Sequence, residues 1–103
     1  MASKRGQNMI TVVAKNTIIT EKYDEIIVLC KELVEETRKE DGCIKYEMHQ
    51  DVNDKAILTM IEEWESQEAL DKHMQSEHFT RIVPLLGSLM AAETDMNVYA
   101  QLI

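Results

Sequence analysis

The sequence predicts an α+β fold in the order β-α-β-β-α-β. Three observations carry the prediction. Apolar side chains alternate with polar ones in four separate segments, as half-buried strands require. Apolar residues recur every three to four positions in two longer stretches, as amphipathic helices require. Between the two middle strands lies only Asp51-Val52-Asn53-Asp54-Lys55, a turn-forming run short enough to demand an antiparallel hairpin. That order gives a four-stranded antiparallel sheet with both helical layers on one face, the ferredoxin-like plan.

The first strand covers residues 9–19, rich in Thr, Val and Ile. Alternation puts Ile10, Val12, Ala14 and Asn16 on one face and Met9, Thr11, Val13 and Lys15 on the other. Thr20 offers an N-cap, and Glu21, Asp24 and Glu25 suit the positive end of a helix. Tyr23, Ile26, Ile27, Cys30, Leu33, Val34 and Thr37 then form an apolar stripe, and Gly42 closes the helical region. Residues 43–50 alternate again, with Ile44, Tyr46 and Met48 toward the helices and Cys43, Lys45, Glu47 and His49 away. Residues 56–64 form the third strand. Ser66 caps a helix from Gln67, and a second helical segment runs from about Ser76 to Met90, with a kink or break expected at Pro84. Residues 94–103 form the last strand.

The helix-facing side of the sheet takes Ile10, Val12, Ala14, Asn16, Ile44, Tyr46, Met48, Leu58, Met60 and Trp64. The other side has no helix to cover it, yet carries Met9, Val13, Cys43, Ile57 and Ile61. An apolar face of that kind calls for a cover, and the same face of a second copy is the simplest one. The expectation is a homodimer through the sheet face opposite the helices.

With 103 residues the chain is one domain, taken as 9–103, with residues 1–8 a disordered tail or cloning remnant that lacks the apolar stretch of a signal peptide. A composition 45% hydrophobic and 29% charged is that of a globular protein. The net charge of −8 argues against nucleic acid and anionic membranes, both of which attract basic proteins. No apolar run reaches the roughly 20 residues of a membrane span. Cys30 and Cys43, without a Cys-x-x-Cys spacing, read as thiols of a reducing, cytoplasmic setting rather than as a disulfide or metal site. The seven methionines read as core and interface filling.

The densest chemistry lies between Ile61 and Phe79. Strand, then Glu63-Trp64-Glu65-Ser66-x-Glu68-Ala69-Leu70-x-x-His73-x-x-Ser76-x-His78-Phe79, resembles the antibiotic biosynthesis monooxygenase superfamily of dimeric α+β barrels. Gly42-Cys43-Ile44-Lys45-Tyr46 resembles that group's Glu-x-Gly-Cys approach to the second strand. The resemblance spans residues 9–103 and is nearest to the small quinol monooxygenase branch. It implies an oxygenase with no cofactor, which binds an electron-rich aromatic, removes a proton and lets the anion react with O₂ while excluding water.

The same resemblance implies the site residues. His73 and His78 are candidate general bases, since imidazole titrates near neutrality. Asn16, at a position where the haem-degrading branch has a functional Asn, is a candidate for holding dioxygen or a substrate oxygen. Trp64 is a candidate stacking surface. Tyr46, Met60, Phe79 and Arg81 complete the expected substrate-binding set, Arg81 for an anionic group. His49 points to the dimer side. Two departures narrow the branch. The anthrone monooxygenases carry Asn and Tyr where this chain has Met60 and Leu70, and the haem degraders carry an iron-binding His where it has Val83. The alternatives are an isomerase of the signal-molecule type, which needs a base but no oxygen, and a small-ligand-binding module with no chemistry.

Overall fold

The structure, a computed structural model, describes residues 9–103; the expected tail at 1–8 lies outside the described residues. The elements follow the predicted order. Strand β1 (Ile10–Thr17) leads through a 3-10 turn (Thr20–Lys22) into helix α1 (Tyr23–Thr37). Strands β2 (Cys43–Gln50) and β3 (Ile57–Trp64) form the hairpin. Helices α2 (Gln67–Met74) and α3 (Glu77–Gly87) follow, and β4 (Asp95–Ala100) ends the sheet. The strand order is β2-β3-β1-β4, with every pair antiparallel. Among the described residues no helix is long and apolar enough to cross a membrane.

The β1–β3 register sets Val12 opposite Glu62, Ala14 opposite Met60 and Asn16 opposite Leu58. This is the helix-facing side. Val12, Leu58, Met60 and Trp64 are buried there against Ile26, Cys30 and Leu33 of α1 and Ile82 of α3. The C-terminal end of α3 is pinned to β1, with Ile19 N–H donating to Leu89 O (3.0 Å) and Ala91 N–H to Thr17 O (2.7 Å).

Four local expectations are corrected. Thr20 does not cap α1: its hydroxyl turns to Glu21, the chain winds first as a 3-10 turn, and α1 starts at Tyr23 without a side-chain cap. The helix also stops at Thr37, well before Gly42. Pro84 does not interrupt α3, which continues to Gly87. Finally, a bulge between Cys43 and Lys45 shifts the β2 register. Cys43 therefore pairs with Trp64 and packs against the core, and Ile44 is left exposed.

Gly42 has two reasons to be glycine. Its φ of 85° lies in the left-handed region. A Cβ built there would stand 2.6 Å from the Ala69 Cβ of α2. The chain can thus pass from the end of the α1 turn into β2 directly beneath α2.

Candidate active site

Between the sheet and the helices lies a cavity of about 360 Å³. Ala14, Asn16, Met48, Met60 and Glu62 floor it from the strands, and Phe79, Val83 and Leu86 roof it from α3. Its size is that of a small-ligand site, and its wall is mostly apolar with few polar groups, the usual make-up of such a site. Of the expected residues, Asn16, Tyr46, Met60 and Phe79 line it. His73, His78, Trp64 and Arg81 do not.

The polar group that reasoning from sequence missed is Glu62. It stands two residues before Trp64 on β3, on the same face, and is only 6% exposed. Trp64 Nε1–H donates to its Oε1 at 2.9 Å. Burial pushes its carboxyl up to about 7, against the stabilising bond from Trp64 and with further upward pressure from the Glu40 charge. The signal was present in the alternation Leu58, Met60, Glu62, Trp64: a carboxylate in a row of core-facing positions. Tyr46, also buried, has its hydroxyl held well above the usual phenol range, first by burial and then by the Glu62 charge. Glu62 is therefore the cavity group able to exchange a proton near neutral pH.

Asn16 lines the cavity with its amide already engaged. Its Nδ2 donates to Ala14 O and Leu58 O (both 3.2 Å), and its Oδ1 accepts from the Thr94 hydroxyl (2.6 Å). Both amide hydrogens serve the main chain, which explains how an amide sits among apolar neighbours at little cost.

The two histidines meet elsewhere. Ser66 caps α2 by accepting from Ala69 N–H, and Ser76 caps α3 by accepting from Phe79 N–H. The Ser76 hydroxyl also donates to His73 O (2.6 Å), so one serine holds the α2–α3 joint. That joint aims His73 Nδ1 and His78 Nε2 at the same oxygen, Glu40 Oε2, at 2.7 and 2.6 Å. His73 as a substrate base and Trp64 as a stacking surface are both corrected, because no hollow lies between them. The rings of Trp64 and His73 touch, with centroids 4.6 Å apart. Both are buried, at 0% and 1% exposure, and Tyr46 and Phe79 set their edges against the imidazole. Burial lowers the His73 pKa, opposed by its bond to Glu40. The Glu40 carboxylate was legible only as part of the Glu-x-Gly-Cys motif. Arg81 pairs with Glu77 and Glu32 at the surface. His49 bonds Glu47, also at the surface.

Both cysteines are free thiols. Burial pushes each up to about 11, which leaves them unreactive at neutral pH.

A profile of the antibiotic biosynthesis monooxygenase family matches residues 9–85. A conserved protein of Methanosarcina mazei has a crystal structure that superposes with a TM-score of 0.93 at 44% identity, covering 96% of this chain and 98% of that one. A second crystal structure, described as an antibiotic biosynthesis monooxygenase, is 35% identical with a TM-score of 0.87, covering 91% and 99%. Among curated sequences, "Putative monooxygenase YcnE" of Bacillus subtilis is 27% identical over 85% of this chain and 93% of its own length. An uncharacterized Synechocystis protein is 28% identical, and this chain spans 65% of its length.

Proposed function

The chain belongs to the antibiotic biosynthesis monooxygenase family, and on that premise we propose that it oxidises a small electron-rich aromatic, such as a quinol, with O₂ and without a cofactor, Glu62 taking the substrate's hydroxyl proton. The observation that carries this reading is the place of Glu62. Its carboxyl faces an otherwise largely apolar cavity, and its pKa of about 7 matches the working pH of a general base.

In this reading the ring lies between the strand floor and Phe79, with one hydroxyl toward Glu62. Ionised Glu62 accepts the proton, and the phenolate, richer in electrons, passes one to O₂. Recombination forms the C–O bond, and loss of water completes the reaction. For a substrate SH₂ the balance is SH₂ + O₂ → SO + H₂O. One oxygen atom joins carbon and the other leaves as water with both hydrogens. The substrate supplies all the electrons, so no outside reductant is required. Trp64 holds Glu62 through its indole N–H, and the apolar wall keeps water from the anion.

Oxygen uptake with a panel of quinols tests the reading. Wild type should turn over, and Glu62→Gln should lose about 10²–10⁴-fold with a melting temperature at neutral pH no lower than wild type. Equal uptake by Glu62→Gln would remove Glu62 from the mechanism. Product formation under strict anaerobiosis would replace oxygenation with isomerisation.

The same proposal includes a homodimer closed through the uncovered sheet face, where Val13, Ile57 and Ile61 stand on the side away from the helices. Light scattering on Ile61→Glu should then report half the wild-type mass.

A further inference from the structure

We propose that Glu40, His73 and His78 form a binding site for a divalent first-row transition-metal ion, separate from the cavity. One ligand atom from each residue lies within 4.8 Å of the other two. The three come from different parts of the chain: the turn after α1, the last turn of α2 and the first turn of α3. Two imidazoles and a carboxylate are a donor set that suits zinc and its neighbours in the first row.

The site is built rather than incidental. His73 is almost wholly buried and fixed by four aromatic rings: Tyr46, Trp64, His78 and Phe79. Its Nε2 has no hydrogen-bond partner among the described residues, so Glu40 alone among polar groups holds the imidazole. The present contacts of 2.6 and 2.7 Å are hydrogen bonds from the imidazoles to the carboxylate. A tetrahedral ion at about 2.0–2.2 Å from each donor would replace those protons and set the donors about 3.3–3.6 Å apart, so Glu40 must draw back from both imidazoles by more than about half an ångström. Glu40 has room to yield, because it also lines an open cleft of about 460 Å³ at the surface.

That cleft supplies the route and the charge. Asp41, Glu65 and Glu68 line it with Glu40, and Lys72 is its one basic residue. Beyond Glu40, three carboxylates face one lysine, Lys72, which pairs with Glu68, and the net negative charge favours a cation at the base. None of the three ligands lines the cavity between sheet and helices. The ion would therefore tie the Gly42 turn to the α2–α3 joint, and no step of the proposed oxidation passes through it.

Calorimetric titration of untagged, chelator-stripped protein with zinc chloride tests this without any substrate. One ion per chain should bind, and the melting temperature should rise with zinc. Glu40→Gln keeps an acceptor for both imidazoles but removes the charge. His78→Gln removes an accessible ligand and spares the buried one. Each should weaken zinc by more than about 10-fold, the smaller loss seen when a mere supporting residue is removed. No saturable binding by wild type, or wild-type affinity in both variants, would reduce the cluster to a hydrogen-bonded clasp and overturn the proposal. Oxygen uptake by the stripped protein is read separately, so failure of the proposed oxidation leaves this result standing.

Discussion

Two residues apart on β3, Glu62 and Trp64 stand in opposite surroundings. Strand alternation puts both on the helix-facing side, and a hydrogen bond joins them. Above Trp64 the α2–α3 joint closes tightly, with His73 against the indole. Above Met60 and Glu62, α3 passes as a roof carrying Phe79 and Val83, and space remains. The difference lies in what the second layer places over each position. The filled end fixes geometry, and the hollow end has room for a guest. In the proposed reaction the proton acceptor must face the hollow end, where Glu62 stands and the two histidines do not.

Mutations sharpen that contrast. The largest effect belongs to the filled end. Trp64→Ala removes a ring with no exposed surface and should cost about 3–5 kcal/mol in urea unfolding. A loss under about 1 kcal/mol would mean that the joint is not packed around it. Next comes the pH dependence of Glu62. Its folded pKa is raised from 4.5 to about 7, so between those values the folded state holds a proton that the unfolded state has released. Stability contributed by that protonated carboxyl is present below about pH 4.5 and lost as pH rises toward 7, on the order of 3 kcal/mol in all. Glu62→Gln lacks the titration, so its stability relative to wild type should climb between pH 5 and pH 8. A pH-independent difference would place the carboxyl in water.

Gly42 and Gly87 give a smaller pair. Gly42→Ala forces a left-handed alanine, about 1–2 kcal/mol, and drives its Cβ into Ala69, so its melting temperature should fall. Gly87→Ala, at the cavity rim, meets nothing within 4 Å, and should stabilise by about 0.4–1 kcal/mol. The smallest effect is at Arg81, whose partners are exposed carboxylates. Arg81→Ala should leave both turnover and the unfolding midpoint unchanged, and loss of turnover would bring that side chain back to the substrate.

The strands, their order and the helix-facing core were legible because each rests on a two- or three-to-four-residue rhythm that packing must obey. Ser66 as a cap was legible for the same local reason. The bulge at Ile44 was not: one extra residue reverses the face of Cys43 without leaving a trace in composition. Asn16, Tyr46, Met60 and Phe79 reach the cavity because strand alternation and the start of α3 put them there. The histidines could not be placed from spacing alone. Their direction depends on the angle at which α2 meets α3 and on Glu40, 33 residues before His73. Glu62 was readable from its position in the strand, between the helix-facing Met60 and Trp64.

Strand β4 has a consequence for access. It is bonded along one margin only, to β1, and every one of its residues is exposed in the single chain. Thr94 and Met96, just before it and within it, also wall the cavity. Met96, Val98 and Tyr99 keep about half of their surface exposed there, whereas α3 is anchored through the fully buried Ile82. The margin of the chamber at Thr94 and Met96 is accordingly formed by the strand that the single chain leaves most open to solvent.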